Sequence, residues 1–400
     1  MRDDGAAEDT IERRIAQELD SLRAISQFRT LENSDGIDLS SNDYLGLAYD
    51  PRLKHATMEA IANSARVGST GSRLLSGNAR EWHELELEFA DFAGTEAALY
   101  FGSGYAANLG LLSSLLRAGD FVFSDAMNHA SLIDGMRLSG ASKVLYPHCD
   151  LAFVENALRE RAGLPGARVI VTESVFSMEG DVAPLDQLAR LANKYDAALV
   201  IDEAHATGVC GPAGRGTAAE LGIERDVLAI VHTCGKALAS AGAFVCGALA
   251  LKEFLINRAR TFIFSTAMPP YMAGQIRAAL GLARAADDRR AHSREIAAML
   301  RDSMLAAGIN CGASSTHVVP VILGSNNAAL RAASELQRAG FAAKAIRPPT
   351  VPPGTARIRI SLTSRITLEQ MHRLAEALRA ALAAQPNELS AGPATGAVHV

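Results

Sequence analysis

Residues 168–204 read RVIVTESVFSMEGDVAPLDQLARLANKYDAALVIDEA, and this stretch decides the fold. Its two ends, 168–174 and 198–204, are continuous apolar runs bounded by polar residues. Between them the leucines recur every three or four residues, which is the spacing of one helix face. Strands that are apolar throughout and separated by a helix indicate a parallel sheet with helices on both faces.

The same alternation of apolar runs and helical segments extends over about residues 95–270. It predicts an α/β fold whose large domain holds a mostly parallel sheet wrapped by helices. The other predicted strands are AALYF (97–101), DFVFSD (120–125), KVLYP (143–147), LAIVH (228–232), AFVCGAL (243–249) and FIFST (262–266).

We predict four regions along the chain. The large domain covers residues 45–285, and a small α+β domain covers residues 286–384. Before them, residues 1–44 form an N-terminal helical segment, in which apolar side chains at helical spacing over 11–28 predict an amphipathic helix that packs onto another surface. The tail, 385–400, is small and polar with Pro and Gly, and we expect it to be disordered.

The C-terminal domain has a different pattern. Strands are expected at 318–324, 341–346 and 357–363, with helices near 327–339 and 366–384. Apolar and polar residues alternate more clearly in these strands than in the large domain. The alternation favours a sheet with one partly solvated face.

Composition excludes several classes of protein. The 400 residues carry a net charge of −5 and 5% aromatic residues, with Trp82 the sole tryptophan, which argues against a nucleic-acid surface. No apolar run approaches the roughly 20 residues that span a membrane, and four acids in the first ten residues do not fit a signal peptide. Five scattered cysteines without C-x-x-C spacing predict neither disulfides nor a metal site. We expect a soluble cytoplasmic enzyme.

Polar residues follow several of the predicted strands. In an open parallel sheet, ligands bind beyond the carboxyl ends of the strands. The turn GSGYAAN (102–108) combines glycines with a helix start, which can cradle a phosphate or simply form a tight turn. The other strand ends supply Asp125, His129, Ser177, Asp202, His205 and Lys236.

Two kinds of cofactor site fit these residues. Gly102, Gly104 and Ala107 match the dinucleotide pattern G-x-G-x-x-A, and Asp125 follows at the distance of a ribose-binding acid, so an NAD-dependent dehydrogenase is one alternative. Hydride transfer has no clear use for Lys236. A pyridoxal phosphate (PLP) site uses a lysine for the Schiff base, an aspartate for the pyridine nitrogen and a glycine-rich helix start for the phosphate.

Nine sequence blocks, taken in order, resemble the α-oxoamine synthase family of fold-type I PLP-dependent transferases. The resemblance covers roughly residues 15–384. The blocks are SSNDYLGLA (40–48), GSTGSRLLSGN (68–78), GSGYAANLG (102–110), NHASLIDG (128–135), TESVFSMEGD (172–181), IDEAHATGV (201–209), HTCGKA (232–237), FIFSTAMPP (262–270) and AIRPPTVPPGTARIRISLT (345–363).

The resemblance implies roles for residues around the cofactor ring. Lys236 would hold PLP covalently, and Asp202 would pair with the pyridine nitrogen. His205 and Ser177 would lie near the phenolic oxygen, and His129 would stack on the ring. Lys236, Asp202, His205 and His129 are thus the implied catalytic residues.

Other residues are implied to hold the phosphate and the substrates. The backbone of Gly104 and Tyr105 and the hydroxyl of Thr233 would hold the phosphate, and Thr266 would approach it from the partner subunit of a homodimer with shared active sites. Arg359 would bind the amino-acid carboxylate as a bidentate pair. Thr350 and Arg29 would contact the acyl substrate.

The segment RPPTVPPGTAR (347–357) resembles one branch of this family. That branch condenses L-alanine with a pimeloyl thioester of coenzyme A or an acyl carrier protein, with loss of carbon dioxide, in biotin biosynthesis. Sister enzymes that use glycine or serine with other acyl groups are the nearest alternative.

Overall fold

The structure is a computed structural model of the chain, and it describes residues 10–31, 33 and 35–383. The predicted disordered tail, 385–400, lies outside the described residues. No helix in the described part of the chain is long and apolar enough to cross a lipid bilayer.

Helices and strands alternate through most of the described chain. As far as β6 they are α1 (Ile11–Ala24), β1 (Ile37–Asp38), α2 (Pro51–Asn63), α3 (Arg80–Ala93), β2 (Ala97–Phe101), α4 (Gly104–Leu115), β3 (Phe121–Asp125), α5 (Ala130–Ser139), β4 (Ser142–Tyr146), α6 (Leu151–Glu160), β5 (Arg168–Glu173), α7 (Leu185–Lys194) and β6 (Ala198–Asp202). After it come α8 (Thr217–Leu221), β7 (Ala229–Thr233), β8 (Ala243–Gly247), α9 (Leu249–Arg258), α10 (Arg260–Ile263), α11 (Tyr271–Arg284), α12 (Asp287–Ala306), β9 (Val318–Gly324), α13 (Asn326–Arg338), β10 (Phe341–Ala342), β11 (Ala345–Ile346), β12 (Ala356–Ser361) and α14 (Leu368–Ala383).

A seven-stranded sheet in the order β2-β8-β7-β6-β5-β3-β4 forms the centre of the large domain. All of its strands run in one direction except β8, which is antiparallel to both of its neighbours. Apolar clusters cover both faces of this sheet. The central strands β5, β6 and β7 are therefore buried along most of their length. The predicted α/β fold with a mostly parallel sheet is confirmed.

The prediction of a strand at 262–266 is wrong. Residues Arg260–Ile263 form the short helix α10, and Thr266 makes only an isolated antiparallel bridge with Ser72. The ring of Phe262 packs edge-on against Phe101, 5.7 Å between centroids, on the helical layer beside the sheet. A short apolar run has the same composition whether it is a strand or a buried helical turn, so periodicity did not separate the two.

A second, three-stranded antiparallel sheet, β11-β12-β9, lies in the C-terminal part with α12, α13 and α14 packed on it. The expected solvated face is not found on the central strand β12, which is buried along its whole length, whereas β11 is half-buried. Ile358 and Ile360 face the helices, while Arg357 and Arg359 point the other way and bond to residues 177–179 of the large domain. The alternation of apolar and polar residues in β12 therefore marks a polar contact between domains. The domain boundaries, 45–285 and 286–384, stay predictions.

The N-terminal helix α1 forms as predicted and lies at the surface of the single chain. None of the residues of α1 is buried, and Ile11 and Ile15 are exposed. Contacts with the rest of the chain come from the segment after it, where β1 pairs in parallel with β10 and Leu39 enters the C-terminal core. The surface that covers the apolar side chains of α1 therefore stays a prediction.

Candidate active site

The sheet brings three polar strand ends to one edge. Glu173 at the end of β5 stands directly beside Asp202 at the end of β6, and Asp202 stands beside Val231 of β7. β7 ends at Thr233, and the turn after it carries Lys236. Parallel strands thus place Asp202 and Lys236 together, as expected from their positions in the sequence, and add Glu173 as a second acid.

A chain of hydrogen bonds leads away from Lys236. Its Nζ lies 2.7 Å from Nε2 of His205, and Nδ1 of His205 lies 2.6 Å from the hydroxyl of Tyr44. Tyr44 donates in turn to Oδ1 of Asn42 at 2.9 Å. One tautomer satisfies the whole chain: Nε2 of His205 accepts from Lys236 and Nδ1 donates to Tyr44.

Burial sets the charge of these groups. It lowers the pKa of Lys236 to about 8, against the opposing effect of Asp202 and Glu173. Burial also holds the pKa of His205 well below its usual value, with a further lowering by the charges of Lys236 and Arg359. Near neutral pH the lysine therefore loses its proton far more readily than an exposed lysine, and His205 is neutral.

Asp202 is buried and held at both carboxylate oxygens. Oδ1 accepts from the backbone N–H of Ala204 at 2.8 Å, and Oδ2 accepts from Nδ2 of Asn108 at 2.6 Å. Asn108 also donates to the hydroxyl of Ser131, which lies 2.8 Å from Nδ1 of His129. This network links the acid on β6 to the histidine that starts α5.

Glu173 adds a second acid to the site. Its side chain is buried, and Oε1 has no hydrogen-bond partner. Burial, and then the charge of Asp202, raise the pKa of Glu173 well above its usual value. Burial beside a second carboxyl therefore favours the protonated form of Glu173.

The start of α4 forms one wall. Ser103 caps the helix by accepting from the N–H of Ala106 at 3.0 Å, and Gly104 and Tyr105 are its first residues, whose N–H groups have no acceptor within the helix. A Cβ on Gly104 would stand 2.7 Å from Cγ2 of Thr233. The hydroxyl of Thr233 makes only a long bond, 3.3 Å, to the carbonyl of Ala204, so it can turn towards a ligand.

Arg359 reaches the site from β12. It is buried and donates from Nε to the carbonyl of Ser177, from Nη1 to the hydroxyl of Ser361 at 2.6 Å and from Nη2 to the hydroxyl of Tyr44 at 3.3 Å. A guanidinium has five N–H groups, two on each terminal nitrogen. These bonds leave one N–H on each terminal nitrogen, which is what bidentate binding of a carboxylate requires.

Arg29 contacts the proline-rich segment that carries Thr350. Nη2 of Arg29 donates to the carbonyl of Pro348 at 3.4 Å, and Thr350 is exposed two residues further on. Arg347, in the same segment, reaches the carbonyl of Ser26. The structure thus brings the N-terminal segment onto the proline-rich segment, as a shared acyl-binding role requires.

Thr266 is not brought to the other predicted residues by hydrogen bonds of its own chain. It is exposed and bridges to Ser72, and the neighbouring Ala267 donates its N–H to the carbonyl of Gly71 at 2.9 Å. Two of the sequence blocks therefore pair with each other at the surface.

Comparison with known proteins shows the family. The aminotransferase class I and II family matches residues 34–378. The 8-amino-7-oxononanoate synthase of Geobacter sulfurreducens is 42% identical over 381 residues, 92% of this chain and 97% of that protein. The chain belongs to the aminotransferase class I and II family.

Solved structures agree with this assignment. A serine palmitoyltransferase from S. paucimobilis with a bound PLP–myriocin aldimine has a TM-score of 0.85 at 29% identity, covering 94% of this chain and 98% of that one. The 8-amino-7-oxononanoate synthase of Francisella tularensis has a TM-score of 0.75 at 30% identity, covering 87% and 98%. The family and these relatives identify a PLP-dependent acyltransferase with the fold-type I architecture.

The residues present fit PLP. The first turn of α4 offers free N–H groups for a phosphate, in a space that a Cβ on Gly104 would close. Lys236 has a lowered pKa, and the carboxylate of Asp202 is fixed in orientation by two hydrogen bonds. Lys236 would carry the cofactor, and Asp202 would hold the proton on the ring nitrogen of PLP.

The dehydrogenase alternative is wrong. The strand before the glycine turn, β2, lies at one edge of the sheet, and β3, which ends at Asp125, lies near the other edge. A dinucleotide fold needs these two strands side by side. The carboxylate of Asp125 is also buried and engaged by the N–H groups of Met127 and Cys149 and by His148.

The residue-by-residue analysis of the sequence missed three side chains of the site. Tyr44, Asn108 and Glu173 lie inside quoted sequence blocks but received no role. Their positions within SSNDYLGLA, GSGYAANLG and TESVFSMEGD were the available signal. Tyr44 accepts a hydrogen bond from Arg359, Asn108 donates one to Asp202, and Glu173 stands beside Asp202 on the next strand. These partners are distant in sequence, so spacing alone does not reveal them.

Proposed function

We propose that this enzyme condenses L-alanine with a pimeloyl thioester, of coenzyme A or an acyl carrier protein, to give 8-amino-7-oxononanoate, carbon dioxide and a free thiol, a reaction of biotin biosynthesis. The observation that carries the proposal is the convergence of Lys236, Asp202 and Arg359 on one edge of the sheet in a chain whose relatives bear this enzyme's name.

PLP bound at this site supplies an electron sink that stabilises negative charge on the α-carbon of the amino acid. The neutral amine of Lys236 accepts the α-proton, a role that its lowered pKa supports. Asp202 keeps the ring nitrogen protonated, and its bonds from Asn108 and Ala204 hold it in place for this.

The carbon skeleton then changes in two steps. The α-carbon of alanine bonds to the thioester carbonyl carbon, and the C–S bond breaks to release a thiolate, which takes a proton from solvent to give the thiol. The bond from the α-carbon to the carboxylate breaks next, releasing carbon dioxide, and Lys236 returns a proton to the α-carbon. Arg359 holds the carboxylate through its two remaining N–H groups until it leaves.

The other predicted residues complete the proposal. His129 confines the substrate on one face of the ring, and His205 with Ser177 lies beside the phenolic oxygen. Arg29 and Thr350 contact the acyl chain, a role supported by the bond from Arg29 to Pro348. The enzyme acts as a homodimer in which Thr266 reaches the phosphate of the partner's site, in keeping with its exposure in the single chain.

A second candidate is a related α-oxoamine synthase that uses serine or glycine with another acyl thioester. It is favoured by the higher structural similarity to serine palmitoyltransferase, with a TM-score of 0.85 against 0.75 for the Francisella enzyme. Sequence identity favours the first candidate, at 42% to the Geobacter synthase against 29% to that transferase.

A thiol-release assay distinguishes the two. L-alanine, glycine and L-serine are each combined with pimeloyl, succinyl and palmitoyl thioesters, and thiol and carbon dioxide are measured together. Equal release of both products, fastest with L-alanine and pimeloyl thioester, is the expected result. Fastest turnover with serine and a palmitoyl thioester, or with glycine, would overturn the substrate assignment and leave the PLP site intact.

A further inference from the structure

Behind the active site, one histidine joins two carboxylates from separate parts of the large domain. His148, which follows β4, places Nδ1 2.9 Å from Oδ1 of Asp125 at the end of β3. Its Nε2 lies 2.8 Å from Oδ2 of Asp181, in the turn that follows β5. None of these residues has a role in the reaction described above.

Both ring nitrogens donate, so His148 is an imidazolium. Burial lowers the pKa of His148, but the hydrogen bonds to Asp125 and Asp181 outweigh burial and raise this pKa to about 12. The other groups facing the ring are the thiol of Cys149, the carboxyl of Glu179 and the ring of Phe176, which packs edge-on at 4.4 Å. The charge-assisted bonds are of the kind that fix geometry strongly.

Asp181 belongs to a turn, residues 174–182, that contacts the C-terminal sheet. The carbonyl of Ser177 accepts from Nε of Arg359, and Glu179 pairs with Arg357 at 2.9 Å. The carbonyl of Gly180 accepts from the N–H groups of Ser315 and Thr316. The orientation of Arg359 therefore depends on where this turn lies.

We propose that His148 is a positioning residue for the amino-acid carboxylate: its ring, bonded to Asp125, holds Asp181 and so the turn 174–182 against Arg359. The chain of contacts runs from β3 through His148 and Asp181 to the carbonyl of Ser177. His148 touches no substrate and acts through Arg359. The proposal rests on the proposed function only in taking Arg359 to bind a carboxylate.

A metal site is the competing interpretation of the same residues. Asp125, His148 and Cys149 each offer a ligand atom within 4.8 Å of the others. A metal would replace the proton on Nδ1 of His148 and leave Nε2 bonded to Asp181, so the proton on Nδ1 distinguishes the two interpretations. In the structure the imidazolium supplies the positive charge that a cation would bring.

The test uses His148→Gln and Asp181→Asn, with Asp186→Asn as the matched control, since Asp186 is an exposed acid on α7 that pairs with Arg190. For each purified holoenzyme the dissociation constants of PLP and of the amino acid are measured from the cofactor's absorption. The probe is whichever of L-alanine, glycine or L-serine the wild type binds, so an error in the assigned substrate does not affect the test. Hydrogen exchange of residues 174–182 is measured in the cofactor-free protein.

We expect both variants to weaken amino-acid binding about tenfold, the effect of losing one charge-assisted hydrogen bond, with PLP affinity within about threefold of the wild type. Exchange in 174–182 should accelerate in both, and Asp186→Asn should behave as the wild type. Unchanged amino-acid binding, or equal loss of PLP and amino-acid affinity, overturns the proposal.

Two further measurements apply to the wild type, so the proposal stays testable if His148→Gln does not fold. The nitrogen NMR signals of His148 should report a doubly protonated ring at pH 9, whereas a neutral ring there contradicts the proposal. One-to-one binding of Zn²⁺ that displaces this ring proton would favour the metal site and also contradict it.

Discussion

Gly104 and Thr233 approach each other so closely that a Cβ on Gly104 would stand 2.7 Å from Cγ2 of Thr233. One is the first residue of α4 and the other is the last residue of β7. The backbone of Gly104 is in an ordinary conformation for any residue, since its φ is not in the left-handed region. The glycine is thus required by the neighbouring threonine, at the point where the phosphate of PLP would bind.

Replacing Gly104 by alanine should lower PLP affinity by about tenfold or more, because the new methyl group pushes the helix start away from Thr233. Thr233→Ser removes the clashing Cγ2 and keeps the hydroxyl, so the double variant should recover most of the affinity. PLP titration of the cofactor-free protein measures both. Gly281→Ala, in a helix with open space around it, is the control. No recovery in the double variant would show that the contact is not the cause.

Attachment of PLP to Lys236 should follow the lowered pKa of this lysine. Only the neutral amine reacts, so the rate should rise with pH up to about 8 and then level off. Borohydride reduction followed by peptide mass spectrometry measures the attached fraction, and Lys236→Ala should show none at this peptide. An inflection near the ordinary lysine value of about 10.4 would contradict the burial argument.

Asp202→Asn should retain the fold and bind PLP but slow exchange of the α-proton of alanine by about a hundredfold or more, since an amide does not hold the ring nitrogen protonated. The fold should survive because Asn108 can rotate its amide and present its unpartnered Oδ1 to the new side chain. Deuterium exchange into alanine followed by NMR is the measurement. Exchange of the alanine α-proton at the wild-type rate would contradict the role assigned to Asp202.

Arg359→Lys and Thr350→Val should separate the two substrates. The lysine lacks the planar fork, so alanine binding should weaken about tenfold or more. Thr350 is exposed beside the segment that Arg29 contacts, so its variant should weaken the pimeloyl thioester and leave alanine binding within about twofold. Titration with alanine, followed by addition of the thioester, measures each in turn. Equal damage to alanine binding in both variants would contradict this division.

The sequence predicts most of the large domain, because its strands are buried on both faces and read as continuous apolar runs. It fails where a run is short or where a side chain faces another domain. The short helix α10 ends at Ile263, where a strand over 262–266 was expected, and the arginines of β12 face the large domain and not solvent. An apolar run has the same composition in a short strand and in a helical turn. An alternating strand has the same composition whether its polar face meets solvent or another domain, so only the packing partner differs.

The candidate site also contains residues that the sequence predicts and residues that it does not. Lys236, Asp202 and Gly104 follow directly from strand ends and a glycine turn, because parallel strands carry their carboxyl ends to one edge of the sheet. The sequence by itself therefore determined the fold class, the cofactor chemistry and the place of Lys236, Asp202 and Gly104 at that edge. Only the tertiary structure decided that Tyr44, Asn108 and Glu173 belong with them and that His148 joins Asp125 to Asp181. Those contacts join residues far apart in the chain, and hydrogen bonds of this kind leave no periodicity in the sequence because they depend on how separate elements pack.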